Sequence, residues 1–273
     1  MPLRITFLGS GGAFSDFRVN YHTNALVDTK KGPVLIDCGT TAVQSMKELR
    51  IPVWGLAGVL ITHIHGDHVG GLEQLLWERY YTGPFRGPGF LPTPIYAPGK
   101  ILASLRRVLH DCVDEIMDSD GVNKPGGFYL LTETTKVEPL TPPLEIGGVL
   151  FQFVPTQHVV GPAVDKPAFG ILIGKWEGAQ MAWAYWTGDT MFRPDIGDVA
   201  PQASVIFHDC SFLKPYPGSP HAHYEQLKTL SPEIRAKIVI MHHTTVPPGI
   251  DVVHDGFKGA ATRHATYEVF PCS

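Results

Sequence analysis

The sequence predicts an α/β protein built on open sheets, and three observations carry that expectation. Short apolar runs alternate with glycine-rich turns from the N-terminal residues onward. Segments with helical spacing of apolar residues stand between those runs at 41–49 and 72–80. Later apolar runs end, one after another, in a polar side chain competent to bind metal, and strand ends are where open sheets place their chemistry.

Taken in order, Ile5-Thr6-Phe7-Leu8 before Gly9-Ser10-Gly11-Gly12 reads as the first strand, and 25–28 and 34–37 as the next two. Residues 41–49 read as a helix, Val59-Leu60-Ile61 as a buried strand, and 72–80 as a helix leaving the histidine-rich stretch between them. Residues 81–98 are rich in Pro and Gly and carry Phe85, Phe90 and Tyr96; helical spacing returns at 101–117 before another glycine-rich break. The region 81–130 is therefore expected to be a lid or insertion, its aromatics used for packing, in a single domain spanning 1–273. Strand signals resume at 149–154, 170–173 and 182–186, with no internal period and no low-complexity tail.

A chain of 273 residues, 44% hydrophobic and with a formal charge of −4, is long enough for one well-buried domain. Cys38, Cys112, Cys210 and Cys272 are scattered without a C-x-x-C pair, so reduced thiols and no disulfide are expected. No signal-peptide core and no stretch of membrane-spanning length is present, which predicts a soluble, cytoplasmic protein with no membrane partner. The mildly acidic balance lacks any Lys/Arg block, which argues against a stable nucleic-acid complex and leaves room for a small anionic substrate.

The chemistry concentrates in Thr62-His63-Ile64-His65-Gly66-Asp67-His68. His63 and His65, two apart after a strand, face one side, while Asp67 and His68 fall on the next bend, close enough to serve a second ion. A single histidine in such a place is ordinarily a polar loop residue; here further metal-competent positions follow at His158, Asp189 and His242-His243, each after an apolar run. His158 completes a three-histidine set, and the Asp189 carboxylate is suited to bridge two cations. Adjacent His242 and His243 must point in different directions, so one of them is expected to ligate. His208, Asp209, His221, His223 and Glu225 add acid/base candidates, whereas His22, His110, His254 and His264 have no comparable context.

Through Phe7-Leu8-Gly9-Ser10-Gly11-Gly12-Ala13, Leu35-Ile36-Asp37-Cys38-Gly39, the H-x-H-x-D-H stretch, His158, Asp189 and the last histidine, the chain resembles the metallo-β-lactamase superfamily along nearly its whole length. The resemblance implies an αβ/βα sandwich of two mixed sheets with flanking helices. It also implies one metal held by His63, His65 and His158 and another by Asp67, His68 and His242, with Asp189 bridging; His243 stands as the alternative to His242. Ile206-Phe207-His208-Asp209-Cys210-Ser211-Phe212 is similar to the H-E-A-T-F stretch of ribonuclease Z-type phosphodiesterases, with Asp209 in place of Glu. His221-Ala222-His223-Tyr224-Glu225 falls where that branch carries its later histidine. Asp67, Asp209 and His221 are accordingly the catalytic candidates, with His208 given a structural part and His223 either structure or a phosphate contact.

The chain departs from ribonuclease Z where that family inserts a long arm for transfer RNA, because His158 and Asp189 stand only 31 residues apart. The H-D-C-S and H-x-H-Y-E pattern looks most like the cyclic-nucleotide-cleaving anti-Pycsar family of phages and their bacterial relatives. The expected activity is hydrolysis of 3',5'-cyclic nucleotides to monophosphates by a binuclear phosphodiesterase. Two divalent ions, Zn2+ or else Mn2+, would supply the nucleophile and neutralise charge on phosphorus. His221, oriented by Asp209, would protonate the leaving ribose oxygen. The alternatives are a ribonuclease Z-like RNA 3' processing nuclease, a lactonase-type acyl hydrolase and a metal-dependent binding protein. The missing arm disfavours the first, the acid pair the second, and the full ligand set the third. The resemblance also implies a homodimer.

Overall fold

The computed structural model describes residues 2–84, 90–117, 123–161, 164–243 and 245–272. The strands are β1 (Leu3–Gly9), β2 (Asn24–Val27), β3 (Val34–Ile36), β4 (Gly58–Leu60), β5 (Thr93–Ala97), β6 (Glu115–Met117), β7 (Asn123–Pro125) and β8 (Thr132–Lys136). They continue with β9 (Leu144–Ile146), β10 (Val149–Gly161), β11 (Val164–Glu177), β12 (Gln180–Trp186), β13 (Val205–Asp209), β14 (Ile238–Met241), β15 (Gly259–Ala260) and β16 (Thr266–Val269). The helices are α1 (Ala42–Glu48), α2 (Gly66–Val69), α3 (Leu72–Thr82), α4 (Gly99–Val113), α5 (Gly127–Leu131), α6 (Ile196–Val199), α7 (Tyr224–Leu227) and α8 (Pro232–Arg235).

Two seven-stranded sheets form the body, in the orders β16-β1-β2-β3-β4-β5-β8 and β15-β14-β13-β12-β11-β10-β9. Both are mixed: β3, β4, β5 and β8 run parallel in the first, and β12 to β15 run parallel in the second, with antiparallel pairs beside them. They stack face to face, with Phe7 of the first sheet 5.2 Å from Trp186 and 5.3 Å from Phe207 of the second, between ring centroids.

The near-continuous apolar runs of β12 to β14 follow from burial on both faces. Val205, Phe207, Val239 and Met241 enter the core between the sheets, which also receives side chains from α1, α3 and α4. Ile206, Ile238 and Ile240, one residue out of phase, pack outward with Ile196, Leu227 and the other apolar residues around α6 to α8. The four cysteines are free thiols. No described helix is long and apolar enough to cross a membrane.

The segment 81–130, expected to be a lid or insertion, contributes structure to the body where it is described. β5 lies in the first sheet between β4 and β8, and α4 buries Ile101, Leu105 and Leu109 in the core. Pro94 and the surrounding glycines read as loop because proline removes a ladder donor, yet Thr93, Ile95 and Ala97 alternate inward in strand fashion. The helix expected over 101–117 stops at Val113, and Glu115–Met117 pairs with β7. Ile116 is buried three positions after Val113, so a strand residue continued the helical spacing by coincidence. Phe85 lies outside the described residues.

Candidate metal and catalytic centre

The C-terminal ends of parallel strands converge on one edge of the sandwich. Asp37 follows β3, His63 follows β4, Asp189 follows β12, Asp209 closes β13 and His242 follows β14. α2 supplies Asp67 and His68, its turn closed by the His68 and Val69 N–H groups donating to the His65 carbonyl at 2.9 and 3.0 Å. His158 comes from β10 at a point where the register with β11 shifts between Thr156 and Val159, an irregularity that re-aims a side chain from the ladder.

Three groups of metal-competent side chains result, and two of them hold the expected ligands; the third is Asp209, His221 and His242. His63, His65, His158 and Asp189 form one, and Asp67, His68, Asp189 and His242 the other, the ligand atoms of each lying within 4.8 Å of one another. In the first, His65 Nδ1 is 3.1 Å from Nε2 of both His63 and His158, and Asp189 Oδ2 stands 3.7 and 3.6 Å from those two nitrogens. In the second, Asp67 Oδ2 is 3.1 Å from His242 Nε2 and 3.3 Å from His68 Nε2, and Asp189 Oδ1 is 3.3 Å from the latter. Asp189 belongs to both sets.

Three of the five histidines fit cations because their outer nitrogens are already committed. His158 Nδ1–H donates to the Pro220 carbonyl at 2.9 Å and His68 Nδ1–H to Asp37 Oδ2 at 2.8 Å. Thr62 Oγ1–H donates to Asp37 at 2.7 Å, so Thr62 Oγ1 accepts from His63 Nδ1 at 3.1 Å. Each of these rings in its neutral form turns an Nε2 lone pair inward, and buried His68 Nε2 has no hydrogen-bond partner. Lone pairs facing one another and a carboxylate leave a cation as the natural occupant.

Electrostatics of the centre follow the same design. Burial opposes ionisation of Asp189, but His242 and His68 hold its carboxyl well below the ordinary carboxylate range. Asp37 and His242 both adopt left-handed backbone, φ 58° and 61°, a strain that non-glycine residues sustain where the surroundings over-determine it. Gly39 is demanded by contact: a Cβ there would sit 2.0 Å from the Asp67 carbonyl oxygen.

Asp209 and His221 meet as an ion pair beside the second set. His221 Nδ1–H donates to Asp209 Oδ2 at 2.8 Å, and the Thr190 N–H donates to the same oxygen at 2.9 Å. Asp209 Oδ1, which has no hydrogen-bond partner, stands 3.4 Å from His242 Nδ1, so one carboxylate faces a donor of the second set and bonds the acid candidate. Burial favours neutral His221, but Asp209 overrides it and raises the imidazole above its ordinary value. Burial likewise works against the Asp209 charge, and His221 and His242 bring its carboxyl below its ordinary value. His221 stacks on His242 at 4.9 Å between centroids.

All seven expected ligands and the acid pair are thus brought to one edge. His243 is not in either set; its ring packs edge-on to Phe212 at 5.8 Å. His208 is buried and in neither set, its Nδ1–H on the Asp209 carbonyl at 2.7 Å. His223 donates Nδ1–H to the Leu213 carbonyl at 2.8 Å and accepts from Ser219 Oγ at 2.7 Å, bracing the loop that carries His221.

Sequence reasoning gave no role to Asp37, Thr62 or Pro220. Asp37 stood in a quoted motif at a strand end, and that was its one signal. It accepts from three donors: Thr62 N–H at 2.8 Å, Thr62 Oγ1–H and His68 Nδ1–H. Asp37→Asn presents one acceptor oxygen to these three and is expected to weaken metal binding by about 10- to 100-fold, read by metal titration of the apoprotein. An unchanged affinity would show that His68 is oriented without it.

Residues 3–267 match the family described as Anti-Pycsar protein Apyc1. The chain is 28% identical over 248 residues to the anti-Pycsar protein Apyc1 of Paenibacillus xerothermodurans, covering 89% of this chain and 88% of that protein. It is 28% identical to the protein of that name from Bacillus phage 010DV004, covering 88% of this chain and 89% of the relative. Among solved structures it is similar to the metallo-β-lactamase fold protein YhfI of Bacillus subtilis, with a TM-score of 0.73 at 18% identity, covering 98% of this chain and 100% of that one. The two seven-stranded sheets and their flanking helices are the metallo-β-lactamase fold.

Proposed function

This chain belongs to the anti-Pycsar Apyc1 family, and from that membership and its paired donor sets we propose that it is a metal-dependent phosphodiesterase opening 3',5'-cyclic nucleotides to nucleoside monophosphates. The observation that carries the reading is the Asp209–His221 pair, 2.8 Å apart, set against two ligand sets that share Asp189. Two divalent ions bound there would supply Lewis acidity toward the phosphoryl oxygens and lower the pKa of attacking water. Zinc suits the His/Asp donors best, with manganese the other ion they accept.

The chain's own residues do the rest. His63, His65 and His158 would hold one ion and Asp67, His68 and His242 the other, with Asp189 common to both donor sets. Asp37, Thr62 and Pro220 fix the imidazole tautomers beforehand, so little reorganisation remains when substrate arrives. His221, kept charged by Asp209, donates its proton to the departing ribose oxygen, which leaves poorly as an alkoxide. Asp209 cannot drift from this task, because the Thr190 N–H and β13 pin it.

Size and charge favour a compact substrate. Most of the 30 positions between His158 and Asp189 are taken by the return of the β10–β11 hairpin and by β12. With a net charge of −4, a long polyanion gains little binding energy remote from the scissile bond. The test is product analysis on 3',5'-cyclic nucleotides, precursor transfer RNA and lactones with the same metal: cyclic nucleotides are expected to open while the others persist. Efficient 3' cleavage of transfer RNA beside inert cyclic nucleotides would overturn the substrate class and leave the donor sets standing.

A further inference from the structure

The loop between β1 and β2 takes no part in the chemistry above, yet it begins and ends against the centre. At its start, a Cβ added to Gly12 would lie 3.3 Å from Cε1 of His242. At its end, His22 is buried beside Gly39, where a Cβ would meet His22 Nδ1 at 2.9 Å and the Asp67 carbonyl at 2.0 Å. Between these points the loop carries Phe14, fully exposed, and Phe17, half-exposed and edge-on to His22 at 4.9 Å between centroids.

Isolated exposed apolar side chains are common and carry no message. These two differ in that the loop displaying them is pinned. The Ser15 N–H donates to the Gly12 carbonyl at 3.1 Å and closes the turn bearing Phe14. Val19 and Asn20 donate N–H to the Asp16 carbonyl at 2.8 and 2.9 Å. Across the loop's neck, the Ser10 N–H donates to Asn20 Oδ1 at 3.2 Å and Asn20 Nδ2 donates to Ser10 Oγ at 3.0 Å. Phe14 is the most exposed large apolar side chain among the described residues, and it stands on a hydrogen-bonded backbone turn that starts at Gly12, against His242.

A cyclic nucleotide whose phosphodiester lies at the donor sets presents one large apolar surface, its flat heteroaromatic base. Aromatic side chains bind such faces by stacking, whichever base is present, and a backbone turn that is already pinned lowers the entropy lost in doing so. We propose that Phe14 and Phe17 are the platform on which the nucleobase stacks; the assignment rests on the phosphodiesterase reading above. It makes these phenylalanines binding residues for the nucleoside, with no contact to the reacting atoms.

The test compares holoenzyme carrying Phe14→Ala, Phe17→Ala or both on two substrates: 3',5'-cyclic nucleotides, and methyl riboside 3',5'-cyclic phosphate, which has the same scissile ring and no base. The double variant is expected to raise KM for cyclic nucleotides about tenfold or more, with the abasic substrate unaffected. Phe14→Tyr is expected to keep the wild-type KM. An unchanged KM on cyclic nucleotides, or equal losses on both substrates, overturns the platform. Equal losses together with a dimer-to-monomer change in sedimentation would overturn it by assigning Phe14 to a contact between copies of the chain. If the phosphodiesterase reading itself fails, unmutated metal-loaded protein leaves every cyclic nucleotide intact, a result distinct from all of these.

Discussion

Asp189→Ala is expected to lose bound metal and turnover together. Its carboxylate is the one ligand common to both donor sets, with Oδ1 3.3 Å from His68 Nε2 and Oδ2 3.4 Å from His242 Nε2 and 3.6 Å from His158 Nε2. Removing it leaves each set with three donors and takes away the carboxylate the two sets share. A metal ion contributes several kcal/mol to the transition state, so the loss in kcat/KM should reach about a thousandfold. Metal analysis by mass spectrometry should find about two ions per chain in the unmutated protein and a clear deficit in the variant. A variant with full metal content and near-normal turnover would sink the shared-ligand assignment.

His221→Ala should separate substrates by their leaving groups. A ribose alkoxide needs a proton as the bond to phosphorus breaks, and losing the general acid should cost about a hundredfold or more in kcat. Nitrophenolate departs without that help, so bis-nitrophenyl phosphate should be hydrolysed by the same variant with a much smaller loss. Metal content is measured alongside, because His221 stacks on His242 and shares Asp209 with it. Equal losses on both substrates at full metal occupancy would move His221 from proton donor to a structural or phosphate-binding part.

The donor sets were legible in the sequence because each ligand follows an apolar run with strand character. Val59-Leu60-Ile61 before His63 and Ile238-Val239-Ile240-Met241 before His242 mark strand ends, and the ends of parallel strands share one edge of a sheet. Which of His242 and His243 faces the metals was set by the resemblance and not by the run itself. In the structure the left-handed backbone at His242 is what turns its ring toward Asp67. The Pro/Gly-rich stretch before α4 misled in the other direction. Composition reported a loop there, while the parallel neighbours β4 and β8 recruited Thr93–Ala97 as a strand despite Pro94.

What the sequence by itself determined is the α/β class, the strands that lead into the first donor stretch and the 149–186 run, and which side-chain types gather at one edge. Those properties reside in local pattern: period-two burial, apolar runs and donor types. What only the tertiary structure decided is orientation. That Asp37 fixes His68, that the Pro220 carbonyl fixes His158, and that Asp209 bonds His221 and faces His242 at once are facts about groups 31, 62, 12 and 33 positions apart, read from the pairs in contact. Hydrogen-bond direction and ring tautomer depend on atoms brought together by sheet register and packing, and neighbours in sequence carry no record of them.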